Sequence, residues 1–148
     1  MGTYTQIIYQ IIFGPKNNEK NMVESGREEL FKYIWGLLKN KKCHLYRING
    51  VEDHIHIITH IHPTVALAYL VKDIKVASSK YIKTENLFPN FNGWQDGYGA
   101  FTYSFSAKNN LIEYVKNQKE HHKKVSFREE YMNLLKKHNI EFDEKYLL

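Results

Sequence analysis

The chain has 148 residues, 43% hydrophobic and 25% charged, which suits one globular domain over 1–148 with a core of its own and argues against a second. A formal net charge of +5 favours polyanionic partners without selecting one, and the single cysteine, Cys43, excludes a disulfide framework or a cysteine-rich zinc site. No window has the apolar length of a bilayer span, and the first residues lack the basic and apolar regions of a signal peptide, so a cytoplasmic protein with no membrane partner is expected.

Residues 4–13 (YTQIIYQIIF) are β-branched and aromatic and are bounded by Gly14-Pro15, which predicts a first strand. Leu30, Ile34, Leu37 and Leu38 recur at helical spacing and predict an amphipathic helix over about 23–41. Residues 43–49 (CHLYRIN) form a second strand, and the brief connection 50–53 leads into a third, so the two make an antiparallel hairpin that Pro63 ends. Thr64 can cap a second helix over about 65–83, with Leu67, Leu70, Ile74, Ala77 and Tyr81 as its apolar stripe. Residues 86–97 read as a structured loop and 98–106 as a fourth strand. Strand, helix, strand, strand, helix, strand is the order of an α+β ferredoxin-like or RRM-like two-layer sandwich, with an antiparallel sheet, helices on one face, and the opposite face free to carry a site. Beyond it, Leu111, Ile112 and Val115 mark a third helix over about 107–119, and the capping box Ser126-Phe-Arg-Glu129 starts a fourth that runs to about 138.

Chemistry concentrates in two places. In Asp53-His-Ile-His-Ile-Ile58 the side chains of His54 and His56 share one face of a strand, while Ile55, Ile57, Thr59 and Ile61 take the other, apolar face. Such a pair can hold one ligand, though with 8 His in the chain it also arises by accident. His60 and His62 continue that face towards solvent or DNA. On the third helix Tyr114 and Gln118 stand four residues apart and so present a phenol and an amide oxygen together. The same spacing also describes a half-buried tyrosine and an exposed glutamine. A phenol oxygen can attack a phosphodiester and keep the 5′ phosphate while the 3′ hydroxyl leaves, if its pKa near 10 is overcome. Two imidazoles and one amide oxygen would leave coordination positions open for phosphate and water, which suits Mg²⁺ or Mn²⁺. Lys72, Lys75, Lys80 and Lys83 lie off the second helix's stripe, either as a solvated face or as contacts to DNA phosphates.

Four segments in order, Tyr4-Thr-Gln-Ile-Ile-Tyr9, Asp53-His-Ile-His56, Trp94-Gln-Asp-Gly-Tyr-Gly-Ala-Phe101 and Tyr114-Val-Lys-Asn-Gln-Lys-Glu-His-His122, resemble the single-tyrosine transposases of the HUH superfamily. These are the TnpA-like enzymes of small insertion sequences and their REP-associated relatives. The endings Phe127-Arg-Glu-Glu-Tyr131 and Ile140-Glu-Phe-Asp-Glu-Lys-Tyr-Leu147 extend the likeness over nearly the whole chain. The resemblance implies that His54, His56 and Gln118 hold a divalent cation and that Tyr114 forms a 5′-phosphotyrosine link. It further implies single-stranded DNA with a hairpin at element ends as substrate, and a homodimer in which one subunit's tyrosine helix can complete the other's site. A regulator that binds nucleic acid without cutting is the alternative. A replication-initiator-like nickase is disfavoured by the short chain. His121 and His122 receive no catalytic role and either support the site, contact phosphate or sit on the exposed end of the helix; Asp53 reads as a turn residue or a support for a histidine; and the 94–101 segment reads as structural, with base stacking by Trp94 or Tyr98 as the alternative.

Overall fold

In the computed structural model, which describes residues 2–147, the run IYQIIF forms the central strand β1 (Ile8–Phe13). With β2 (Leu45–Val51), β3 (His54–His60) and β4 (Gly99–Tyr103) it makes one sheet in the order β2-β3-β1-β4, every neighbouring pair antiparallel. Helices α1 (Glu24–Asn40) and α2 (Leu67–Glu85) follow β1 and β3, which makes the α+β ferredoxin-like sandwich expected from the element order. β1 starts at Ile8 rather than residue 4 because Ile8 already pairs with His60, the last residue of β3.

The two-residue periodicity of the strands divides the interior. Ile11, Phe13, Ile55 and Ile57 face one way and meet Leu30, Ile34 and Leu38 of α1 and Leu70, Val71 and Ile74 of α2 in the main core. The other face carries Ile8, Gln10, Ile12, His54, His56 and Ile58, and it is not free. It is roofed by α3 (Lys108–Lys116), α4 (Gln118–His121) and α5 (Phe127–Lys137). Leu111 and Val115 pack on Ile8 and Ile58, and Phe127, Tyr131 and Leu135 on Ile12 and Phe101. The apolar stripes of α3 and α5 need a surface to bury against, and this side of the sheet is the one that α1 and α2 leave open.

Two helix starts and one helix interior differ from expectation or refine it. Thr64 does not cap α2: its hydroxyl engages His62 Nδ1 at 2.7 Å, and the helix begins at Leu67 without a side-chain cap. Ser126 does cap α5, accepting from the Glu129 N–H at 3.2 Å. The single helix expected over 107–119 breaks at Asn117 (φ −94, ψ 20), where the side-chain amide of Asn49 donates to the carbonyls of Val115 and Lys116 at 3.1 and 3.0 Å. Carbonyls at a helix end need partners from outside the helix, so a β2 side chain stabilises the break.

Gly14 joins this layer arrangement to the site. A Cβ there would lie 2.2 Å from the backbone oxygen of Asp53, so only glycine lets the end of β1 close against the β2–β3 turn. Among the described residues no helix is long and apolar enough to cross a membrane. Gly14→Ala is expected to cost ~1–3 kcal/mol by overpacking, read as a lower Tm in a thermal melt; an unchanged Tm would show that the turn yields freely.

Candidate metal and tyrosine centre

The site is built on the side of the sheet beneath α3, α4 and α5. β3 supplies His54 and His56, both 0% exposed, so each ring nitrogen must be accounted for inside the protein. His54 Nδ1 lies 2.7 Å from Asp53 Oδ1, His56 Nδ1 lies 2.8 Å from Gln10 Oε1, and His122 Nδ1 lies 2.7 Å from the Val125 carbonyl. The orientation of Gln10 is set by its Nε2, which donates to the Tyr103 hydroxyl at 2.8 Å. All three partners are acceptors, so all three Nδ1 atoms carry the proton and the Nε2 atoms are left to face inward. Phe127 stacks on the His54 ring at 4.0 Å and holds its plane.

The three Nε2 atoms converge on a single oxygen, Glu130 Oε1, at 3.3, 3.1 and 3.0 Å from His54, His56 and His122. Donor atoms of His54, His56, His122 and Glu130 all lie within 4.8 Å of one another. Lone pairs on neutral imidazoles repel a carboxylate oxygen, so positive charge has to lie among these four groups, as protons or as a cation. Convergent imidazole and carboxylate donors with supported outer nitrogens fit a divalent cation. Without one, protons take that part. Burial opposes a charged His54, but its bonds to Asp53 and Glu130 outweigh burial and raise its pKa. Complete burial dominates at His56 and lowers its pKa to about 4. Burial alone would raise the Glu130 carboxyl, but the bonds from His122, His54 and His56 hold it far below the usual carboxylate range.

Tyr114 and Gln118 reach the same place from either side of the break at Asn117. Gln118 Oε1 lies 3.2 Å from His54 Nε2, and Gln118 Nε2 donates to Glu130 Oε2 at 3.1 Å. The Tyr114 hydroxyl donates to the same Glu130 Oε2, and its ring stands edge-on to His56 at 5.9 Å. Burial and then the Glu130 charge push the phenol well above its ordinary pKa, so here it is a hydrogen-bond donor and not a phenolate. Tyr114, Gln118, His54 and His56 therefore meet within one chain.

The lysines of α2 do not join them. α2 packs on the opposite side of the sheet, and Lys75 is tied down there, donating to the Gln95 and Gly97 carbonyls at 2.8 and 2.7 Å beside the rings of Phe13 and Tyr98. Lys72, Lys80 and Lys83 are exposed. His60 accepts from the Ile7 N–H at 3.1 Å, and Trp94 donates to Ser78 at 2.9 Å while packing edge-on to Phe13.

Glu130 escaped sequence reasoning, although it left a trace. Phe127, Tyr131, Leu134 and Leu135 form the apolar stripe of α5, and Glu130 interrupts that stripe with a charge at a position that faces the sheet. Gln10 leaves the same kind of trace among the isoleucines of β1.

A sequence model of the family described as "Transposase IS200 like" matches residues 3–118. A crystallised candidate transposase from Deinococcus radiodurans R1 superposes with a TM-score of 0.63 at 20% identity, covering 80% of this chain and 95% of that one. A REP-associated tyrosine transposase bound to a REP hairpin superposes with a TM-score of 0.63 at 12% identity, covering 84% and 76%. At those identities the superpositions speak for the fold. No curated protein matches the sequence.

Mn²⁺ added to metal-free protein should raise Tm, with a gain of about 2.7 kcal/mol at a hundredfold excess over Kd. His122→Ala and His56→Ala should each shrink that rise. A Tm indifferent to Mn²⁺, Mg²⁺ and Zn²⁺ would show that protons alone satisfy the donors.

Proposed function

The chain belongs to the IS200-like transposase family, and from that membership and the geometry of the centre we propose that it cuts and rejoins single-stranded DNA by metal-assisted attack of Tyr114. The observation that carries the reading is the meeting of a tyrosine hydroxyl, an amide oxygen and convergent imidazoles at one buried point. His54, His56 and Gln118 would hold the cation, with His122 and Glu130 as further donors within reach. A divalent cation such as Mg²⁺ or Mn²⁺ held by these residues would supply polarisation of the scissile phosphate and offset developing negative charge.

The chain's own groups account for the rest. Asp53 and Gln10 orient the two imidazoles through their Nδ1 protons. Glu130 Oε2 accepts the hydrogen bond of the Tyr114 hydroxyl and so holds the phenol oxygen in place; a carboxylate whose pKa is held so low relays the phenol proton towards the leaving oxygen and does not keep it. A bond from the Tyr114 phenol oxygen to phosphorus forms, the bond from phosphorus to the 3′ oxygen breaks, and that oxygen takes up the proton that Tyr114 releases and leaves as a hydroxyl. The covalent link keeps the phosphodiester's energy for rejoining when a 3′ hydroxyl returns.

The relative bound to a REP hairpin supports a hairpin-bearing single strand as the substrate. We place this chain in a homodimer, where the Tyr114 segment can serve its own centre or the partner's. Lys72, Lys80 and Lys83 would contact phosphates of the flanking strand, which has to pass around an edge of the sheet to reach both them and Tyr114. The second reading, a regulator that binds without cutting, is favoured by the burial of His54, His56 and Gln118 and the elevated pKa of Tyr114, which leave the centre closed as it stands.

One assay separates the readings. Single strands from the chain's own element ends, incubated with Mn²⁺, should yield a covalent protein–DNA adduct that Tyr114→Phe abolishes while DNA binding survives. His56→Ala should lose metal-dependent cleavage. An adduct undiminished in Tyr114→Phe would remove the tyrosine from its role, and no adduct with wild-type protein would favour the regulator. Neutralising Lys72, Lys80 and Lys83 together should flatten the salt dependence of binding by roughly 0.7 in logarithmic slope for each DNA phosphate that no longer meets a lysine; a slope left as it was would return them to the solvated face.

A further inference from the structure

Beside the tyrosine lies a cavity of about 640 Å³ between β4, α3 and α5, within the range of small-ligand sites. Leu111, Leu134 and Tyr103 line it, and Tyr114 and Glu130 form part of its wall, so it is continuous with the reacting centre. Asn110, Asn133 and the cationic residue Lys137 also line it, all three on α3 and α5. A mostly apolar slot with a few amides and one cation has the chemistry of a nucleotide site. The flat base takes the apolar walls, the amides meet its polar edge, and the cation meets a phosphate.

His121 adds an independent sign. The residue lines the same space, and its Nε2, shielded from solvent, has no hydrogen-bond partner. It lies 3.3 Å from Glu130 Oε2 but out of line for a hydrogen bond. The His121 ring stands 5.4 Å from that of Tyr114. A buried polar nitrogen without a partner costs stability unless a ligand completes it, and a phosphate oxygen held next to Tyr114 would do so.

We infer that this cavity binds one unpaired nucleotide of the DNA strand, the one next to the scissile phosphate, and so contributes base preference at the cut. The inference rests on the proposed cleavage by Tyr114 for the position of the nucleotide, but the binding itself is separable from cleavage. The occupant is a nucleotide rather than a helix or a lipid because the walls join a reactive phenol, base-reading amides and a cation within one small space.

The test titrates the four deoxynucleoside 5′-monophosphates at millimolar concentration into isotopically labelled wild-type protein, without added metal, following amide shifts by NMR. At least one nucleotide should bind, shifting resonances of α3, β4 and α5. Asn110→Ala with Asn133→Ala should weaken it by about tenfold, as removal of base-directed hydrogen bonds implies. Leu134→Trp should fill the cavity and remove binding; the asparagine variants keep the question answerable if that variant melts early. If no nucleotide binds, or if binding is indifferent to both sets of variants, the nucleotide site is overturned even where wild-type protein still forms its adduct. Binding as described in a protein that forms no adduct would sustain the site and sink the cleavage reading instead.

Discussion

The carboxylate of Glu130 among the imidazoles of His54, His56 and His122 is the constraint on which the rest of the structure depends. Each imidazole is committed through Nδ1 to an acceptor on a different element: the β2–β3 turn, β1, and the segment that leads into α5. The opposite nitrogens therefore have a single direction left. Buried polar groups need partners, so the closure of α3, α4 and α5 over this side of the sheet is as much a requirement of these rings as of the apolar stripes. The same carboxylate takes the Tyr114 hydroxyl and the Gln118 amide, which couples the nucleophile candidate to the candidate ligands through one side chain.

That coupling depends on a helix that does not continue. An unbroken helix through Asn117 would keep Tyr114 and Gln118 one turn apart on a common face. The break instead gives Gln118 its own short helix and lets both its amide atoms work, oxygen towards His54 and nitrogen towards Glu130. Asn49, from the edge strand β2, makes the break tolerable by bonding the carbonyls that it frees. The layers then keep two kinds of surface apart: the tyrosine, the imidazoles and the cavity lie on one side of the sheet, and the lysine-bearing helix on the other. Lys75 shows how local contacts decide between roles, since its ammonium group is held by two loop carbonyls where Lys72, three residues away, stands in solvent.

How much was legible in the chain follows from what each signal measures. Alternation in Ile55, Ile57 and Thr59 against His54 and His56 reports which residues share a side of a strand, and the sheet keeps that division. The order of strands and helices reports topology, because short connections and right-handed crossovers leave few ways to arrange them. The Ser126 cap is local and is observed, whereas Thr64, equally local in appearance, is drawn away by a neighbouring imidazole. The tail residues 140–147 form no helix or strand beyond a short turn of 3-10 helix at Glu144–Tyr146, consistent with their mixed composition.

The amino-acid sequence by itself determined the sandwich and the side of the sheet on which His54 and His56 stand, because these depend on periodicity and on residue type; Tyr114 and Gln118 became candidates through the family resemblance, since their spacing alone also describes an ordinary helix surface. Only the tertiary structure decided that the histidine side is roofed, that Glu130 and His122 complete the cluster, and that the α2 lysines lie across the sheet from it. The physical reason is that convergence is a property of three dimensions. Glu130 is 74 residues from His56 along the chain, and nothing local to either announces the contact. A charge set within the apolar stripe of α5 is the one sequence trace of it, and it acquires meaning when the helix is seen lying on two buried imidazoles.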